Sequence, residues 1–457
     1  MSSALPSPEA ISAYLLLLDQ EGRRMLVCEP SGHIPDFLVP PVFYPEVEEL
    51  VERVRARCGL DIAILRCLAE GDANEGEPRL YSAVCTSDES PSPGFRWSDL
   101  DEPGFVKDVR QKLARAARLE VERLSSDSGP DSAVPWDSPT AWHRRARSWI
   151  ETNLPQPEDG RPWRIAQIRS WSISSVSRIS SGGRRLYFKA SPRYFDTEVA
   201  VTLNVSNRFP ESSPEILSAQ SKQGWMLMND LGDVTLAKAD RVELWHDTMR
   251  TIAKVQHEYA GCTPELERMG VERRSVRAIV ETLADWTQDS SRAGLRLYQP
   301  EAEVQLRRLE TILGDLVAMA DSLDSIGLPH TLEHGDLDST NIFIRKGIPV
   351  LMDWSDACIS HPFFTPLTPA QARRNPEIVG TYLHEWSGYG STESLRSGFE
   401  IAKLMAALES AFHYHRNIVP YLPYPYPDFR TLEKYIPALL QMAADSAEHT
   451  LSVRRKN

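Results

Sequence analysis

The spacing of apolar residues changes along this chain, and the changes divide it. Near the start, AYLLLLD (13–19) and RRMLVCEP (23–30) are apolar runs of strand length on either side of Gln20-Glu21-Gly22, which predicts a β-hairpin. Pro45 to Cys58 has helical spacing and is stopped by Gly59, and LYSAVCT (80–86) reads as a further strand. Phe105 to Leu124 returns to helical spacing and should close a first domain. A Ser-, Gly-, Pro- and Asp-rich stretch, Ser125 to Asp137, then interrupts all periodicity and reads as a linker. Another amphipathic helix is expected over Pro139 to Leu154. Three short strand-like runs follow, Arg164 to Trp171, Val176 to Ser180 and Arg185 to Ala190, then a helix from about Phe195 and a strand at Gly224 to Met228. Beyond Leu231 the segments are long and helical, with Val242 to Tyr259, Val276 to Trp286 and Glu301 to Leu323 the clearest. A small β-rich region followed by a larger helical one is the expected order.

Length and composition narrow the class. The 457 residues suggest two or three domains, and 41% hydrophobic with 25% charged residues is a globular composition. No window approaches the roughly 20 apolar residues that span a bilayer. Ala13 to Leu18 is too short for a signal-peptide core, so no membrane and a cytoplasmic location are expected. A net charge of −13 argues against a nucleic-acid partner. Of the six cysteines, Cys28, Cys58, Cys67, Cys85, Cys262 and Cys358, none form a Cys-x-x-Cys pair, so reduced core thiols rather than zinc ligands are expected.

Chemistry concentrates in EHGDLDSTNIFIRKGIPVLMDWSDACISHPFF, residues 333 to 364. Asp336 and Asn341 lie five residues apart on a short loop. A strand, NIFI, leads to a turn at Lys346-Gly347, and a second strand, IPVLM, delivers Asp353. Asn341 and Asp353 thus converge at the ends of a hairpin as two oxygen donors, which suits a hard Mg²⁺ ion. Asp336 is left to accept a proton from a hydroxyl. Phosphoryl transfer needs little more than a metal, a cation for the phosphates and a group to position the nucleophile.

HGDLDSTN followed by MDWSDA resembles the catalytic signature of the aminoglycoside-phosphotransferase and choline-kinase family, relatives of the protein kinases. The resemblance implies an α+β, protein-kinase-like bilobal fold, with a β-rich N-lobe over 138–230 and a helical C-lobe over 231–457. It implies Asp336 as catalytic base, Asn341 and Asp353 as Mg²⁺ ligands, and His334 and Asp356 as supports of the loop. It also implies that Lys189, on a strand with Tyr187 on the same face, holds ATP phosphates with Glu198 as its ion-pair partner. SISSVS (172–177), with Ser174 and Ser175, stands where a phosphate-covering loop belongs, serine-rich rather than Gly-x-Gly-x-x-Gly. GWMLMNDLGDVTL resembles the segment between the lobes, where backbone groups around Met228 to Asp230 would meet the adenine edge of ATP or GTP. After HPFF the family often places an acidic residue before a Leu; this chain has Thr365-Pro366-Leu367, which should alter a structural contact.

The resemblance implies a small-molecule acceptor bearing a hydroxyl, with aminoglycosides or other antibiotics, amino alcohols and sugars as candidates. Candidate contacts are Glu385 and Trp386 in HEWSGYGSTES, and Tyr414, His415, Tyr421 and Tyr424 in AFHYHRNIVPYLPYPYPDF. Residues 1–124 faintly resemble a Nudix hydrolase: a hairpin, a helix ending in Cys-Gly-Leu, strands and a closing helix. A Nudix helix needs clustered carboxylates for its metals, whereas this one has Glu52 and Arg53, then Ala56 and Arg57, so a mixed α/β domain without that chemistry is expected. With linker 125–137 between them, removal of residues 1 to 130 is expected to leave a foldable kinase unless the first domain buries an apolar face on it. A catalytically degenerate nucleotide-binding or regulatory protein is the alternative reading, and the sequence does not set the oligomeric state.

Overall fold

The structure is a computed structural model, and it describes residues 10–72, 74–100, 111–125, 133–137, 139, 141–157, 160–239, 241–288, 300–365, 375–422 and 426–454. The predicted helix start at 105–110, part of the linker, Pro366, Leu367 and Tyr424 lie outside the described residues. The chain divides into two compact units, one of residues up to Tyr194 with Leu217–Asn229 and Tyr421–Arg430, the other of Phe195–Ile216, Asp230–Pro420 and residues from Thr431 on. The segment expected as a linker therefore falls inside the first unit.

In that unit the strands β1 (Ile11–Leu18), β2 (Arg24–Cys28), β3 (Asp36–Val39), β4 (Ile62–Ala69), β5 (Arg79–Cys85) and β6 (Phe95–Asp99) form a mixed sheet ordered β4-β5-β1-β2-β6, with β3 also on β1. β1 is parallel to β5, which requires both faces to be covered. Its unbroken leucine run answers that need: Ala13, Leu15 and Leu17 pack with Val47, Leu50, Val51 and Val54 at helix α1 (Glu48–Cys58). Leu16 and Leu18 pack on the other face with Leu113 and Ala117 of helix α2 (Gln111–Ser125). Gly59 ends α1 at φ 71°, and its N–H bonds Arg55 O at 3.0 Å.

A second sheet in this unit is ordered β10-β11-β9-β8-β7, from β7 (Arg164–Trp171), β8 (Ser174–Ser181), β9 (Arg184–Ala190), β10 (Ile216–Gln220) and β11 (Trp225–Asn229). Trp142, Ala146 and Ile150 of helix α3 (Ala141–Asn153) cover one face, packing on Leu186, Phe188, Trp225 and Leu227.

The first sheet meets the edge of the second. Val47 N–H bonds Ile168 O at 3.0 Å and Ser170 N–H bonds Pro45 O at 2.9 Å, so residues 45–47 lie antiparallel along β7. β4 bulges between Ile64 and Arg66, and the Gln167 side chain meets Ile64 there. Its Oε1 accepts Ile64 N–H at 2.6 Å while its Nε2 donates to Ile64 O at 3.3 Å. Ser170 Oγ donates to the same carbonyl at 2.8 Å. Ion pairs Arg164–Glu52, Arg169–Glu46 and Arg178–Glu48 ring this contact.

The second unit is mainly helical: α4 (Glu198–Arg208), α5 (Leu236–Ala239), α6 (Val242–Tyr259), α7 (Thr263–Arg268), α8 (Val276–Gln288), α9 (Glu301–Glu310), α10 (Leu313–Asp324), α11 (Pro376–Glu385), α12 (Thr392–His413) and α14 (Tyr435–Arg454), while α13 (Pro427–Glu433) has residues assigned to each unit. The single helix expected over Glu301 to Leu323 breaks between α9 and α10. Two small antiparallel ladders carry the chemistry, β12 (Thr331–Glu333) with β15 (Cys358–Ser360), and β13 (Ile342–Arg345) with β14 (Ile348–Leu351). Among the described residues no helix is long and apolar enough to cross a membrane, and all six cysteines are free thiols.

Candidate active site

The site is built on the loop between β12 and β13 and on the residues after β14. Ile342 pairs with Leu351, and Met352 N–H extends the ladder onto Asn341 O at 2.9 Å, which brings Asn341 and Asp353 to the same end of the hairpin. Asp353 has φ 64°, a left-handed conformation that aspartate tolerates better than most residues. The loop is held from within: Asp338 Oδ1 accepts from Thr340 N–H at 2.9 Å and from Thr340 Oγ1 at 2.8 Å, and Leu337 is fully buried. Asn341 Nδ2 donates to Asp336 O at 3.0 Å and to Asp336 Oδ2 at 3.1 Å. That commitment leaves its amide oxygen as the atom for a cation.

His334 and Asp356 support the loop from behind. His334 Nε2 donates to Met352 O at 2.8 Å, and its ring lies 4.5 Å from that of buried Trp354. Gly335 has φ 78°, and a Cβ there would stand 2.3 Å from Asp356 O, so only glycine fits where the loop rests on that backbone. Thr365 explains the departure after HPFF. Its hydroxyl accepts His334 N–H at 2.9 Å and hydrogen-bonds Glu333, whose carboxylate also accepts Thr365 N–H at 2.8 Å and Gln256 Nε2 at 2.9 Å. The acidic group at this contact therefore comes from strand β12, and burial raises its pKa well above the carboxylate range.

Electrostatically the site is crowded with negative charge. Burial, then the carboxylates of Asp356, Asp353 and Asp338, push the Asp336 pKa up to about 8, against the hydrogen bond from Asn341. Asp356 behaves oppositely: burial works to raise it, but hydrogen bonds from His413 and Ser355 and the charge of Arg274 hold it below the usual range. A buried ionised carboxylate beside a raised one is an environment that favours a cation. Among the described residues no three His, Cys, Asp or Glu side chains are placed to hold a metal together. Asn341 and Asp353 would supply two oxygens, and Mg²⁺ commonly takes few protein ligands beside phosphate and water. The residues present fit that ion.

The structure brings Asp336, Asn341 and Asp353 together, and Tyr414 lies close enough for Asp356 and Asp336 to raise its phenol further, after burial. Other candidates sit elsewhere. His415 turns its ring to Trp286 at 4.8 Å, and burial followed by the charge of Arg416 lowers its pKa to about 4. Trp386 is fully buried, 4.1 Å from the His257 ring, and offers no face to an acceptor; Glu385 beside it is exposed at the end of α11. Tyr421 stacks on Tyr194 at 5.3 Å.

In the first unit, Leu186, Phe188 and Ala190 enter the core under α3, so the pleat places Tyr187 and Lys189 on the other face as expected, with Lys189 buried. Glu198 opens α4 and is fully buried. The expected serine loop is shorter than read, because β8 already begins at Ser174 and only Ser172 and Ile173 turn. Ser174 Oγ accepts from Trp171 Nε1 at 3.0 Å and Ser175 Oγ from Gln167 Nε2 at 3.1 Å, both buried. At the turn, the N–H and hydroxyl of Ser172 both donate to Asp428 Oδ2, at 2.5 and 2.6 Å. Met228 is buried in β11, and Asp230 Oδ1 accepts Gly232 N–H at 2.9 Å. The residues that reading by sequence misses are His413, Arg274 and Glu333, the partner of Thr365. The broken HPFF pattern is the only local signal for any of them.

Residues 164–366 form the domain that matches the model of the phosphotransferase enzyme family. It is a phosphotransferase domain acting on hydroxyl groups. No curated protein matches the chain in sequence. Among solved structures, an ethanolamine kinase of Plasmodium vivax is 10% identical with a TM-score of 0.47, covering 74% of this chain and 95% of its own. The choline kinase LicA of Streptococcus pneumoniae is 10% identical with a TM-score of 0.45, covering 68% and 100%. A spectinomycin phosphotransferase in complex with ADP and spectinomycin is 8% identical with a TM-score of 0.41, covering 66% and 98%. The family match carries the assignment.

Proposed function

We propose that this chain is a Mg²⁺-dependent small-molecule kinase that moves the γ-phosphate of ATP, or GTP, onto a hydroxyl of an antibiotic, amino alcohol or sugar. The observation that carries the reading is Asp336, held by a hydrogen bond from Asn341 and crowded by the carboxylates of Asp353 and Asp356. In the transfer, the acceptor oxygen bonds to the γ-phosphorus, the bond to the β,γ-bridging oxygen breaks, and the nucleoside diphosphate leaves. Asp336 takes the hydroxyl proton and aims the oxygen. Asn341 and Asp353 would hold Mg²⁺, which would supply charge neutralisation for the phosphates. In this reading Lys189 is the cation for the phosphates, and backbone groups from Met228 to Asp230 meet the base. Ser174 and Ser175 are left out of this account because their hydroxyls are already engaged, as is Trp386 because it is buried. Tyr414 is the acceptor contact this reading favours, since the charges of Asp356 and Asp336 reach its phenol.

We infer that the first domain, if Nudix-like, serves as a scaffold. The charged residues of its helix are tied up in structure: Arg53 pairs with Glu49 at 2.7 Å, Glu52 pairs with Arg164, and Arg57 lies over the rings of Phe37 and Phe95. None is arranged as a carboxylate cluster for metal.

The test is nucleoside-diphosphate release from Mg-ATP against aminoglycosides, other antibiotics, amino alcohols and sugars, with Asp336→Asn as control. Acceptor-dependent release that the variant loses supports the reading. Nucleotide binding with no acceptor-dependent release by wild type would favour a degenerate binding protein.

A further inference from the structure

Helix α12 ends at His413, and the chain continues through a single π-helical turn, Tyr414–Ile418, a feature that often marks functional sites. His413 is buried, and both ring nitrogens are engaged. Its Nδ1 lies 2.8 Å from Arg274 Nη2 and 3.1 Å from Asn417 Nδ2. A guanidinium and an amide NH₂ can only donate, so Nδ1 must accept and carries no proton. The one ring proton is therefore on Nε2, which stands 2.7 Å from Asp356 Oδ1 and donates to it. Arg274 is fixed in turn by Glu409 and Glu272, each at 3.0 Å. The tautomer of His413 is thus set by its neighbours, the way an acid orients the imidazole of other relays.

At the other end, Asp356 Oδ2 accepts from Ser355 Oγ at 2.9 Å, and the Asp356 carbonyl is the surface on which Gly335 rests. Asp336 is the next residue. A hydrogen-bonded chain from Arg274 through His413 therefore ends at Asp356, the residue whose backbone Gly335 packs against.

We propose that His413 is a positioning residue for phosphoryl transfer, holding Asp356, and through it the Gly335-Asp336 segment, by an Nε2–H tautomer that Arg274 enforces. This rests on Asp336 being the catalytic base. His413 touches neither nucleotide nor acceptor in this account, so its effect should appear in kcat.

Two variants separate positioning from mere support. His413→Gln keeps an N–H for Asp356 and a carbonyl for Arg274, whereas His413→Leu keeps the bulk and neither polar group. His413→Leu should lower kcat by about 10²-fold, the scale of a catalytic group displaced by an ångström, with nucleotide KM unchanged. His413→Gln should recover most of that loss. Wild-type kcat in His413→Leu, or equal loss in both variants alongside equal loss of thermal stability, would overturn the proposal. Nitrogen-15 spectra of the imidazole, assigned by the signal missing from His413→Gln, should show Nε2–H with Nδ1 unprotonated at neutral pH. An Nδ1–H tautomer or an imidazolium would overturn it without reference to activity. Turnover that survives Asp336→Asn would instead remove the base reading itself, so the two failures are told apart.

Discussion

For Asp336, the proposed base, desolvation and the carboxylates of Asp356, Asp353 and Asp338 raise the pKa to about 8. An unfolded aspartate releases its proton near pH 3.9. Between those values the folded chain binds more protons than the unfolded one, so this group's contribution to stability falls as pH rises toward 8. A cation at Asn341 and Asp353 relieves the repulsion. Mg²⁺ should therefore raise the melting temperature more at pH 8 than at pH 5, and thermal shift measurements at both values check it. An equal gain at both would contradict the assignment. Asp336→Asn, which keeps the shape and removes the charge, should flatten that dependence. The same variant should lower turnover by about 10²–10⁴-fold, the range of a general base, while isothermal titration finds nucleotide affinity nearly intact. Asp353→Ala should abolish the Mg²⁺ dependence of nucleotide binding, and wild-type Mg-ATP affinity in that variant would refute its role as a ligand.

Among the elements, β7 shows most clearly what holds the first unit together. Its edge is covered by residues 45–47, and Gln167 satisfies the Ile64 N–H left over by the β4 bulge. Gln167→Leu should cost about 1–3 kcal/mol, the cost of an orphaned buried donor, read as a lowered urea midpoint. Removing residues 1–125 bares that edge and its facing polar groups, so the remainder should be insoluble or unfolded; a soluble, cooperative fragment would contradict this. Sequence legibility followed the range of the interactions. The β13–β14 hairpin could be read because its turn, its strands and Asp353 lie within a dozen residues. Lys189 could be read because pleating alone fixes its face. By contrast, the pairing of Gln167 with Ile64 and of His413 with Asp356 spans 103 and 57 residues, which no local pattern encodes. Serines 172–177 misled for a related reason: their composition suits a loop, but pairing with β9 and the Trp171 contact draw most of them into a strand.

Taken as a whole, the molecule divides labour between its units. The first carries a sheet with a buried lysine and a scaffold bonded along that sheet's edge; the second carries the loop of Asp336 and Asn341 and, after β14, Asp353. With a net charge of −13 and a carboxylate-rich site, the account favours an acceptor bearing amino groups, whose attraction should weaken with salt. KM for such an acceptor should rise with ionic strength more than KM for a neutral sugar, as steady-state kinetics at two salt concentrations would show. The central claim is transfer to a hydroxyl, and phosphorus-31 spectra of the reaction mixture test it most directly. With Mg-ATP and an acceptor from the panel, a new phosphomonoester signal should grow in step with ADP and be missing with Asp336→Asn. ADP accompanied only by inorganic phosphate, or an ester formed equally by the variant, would contradict it.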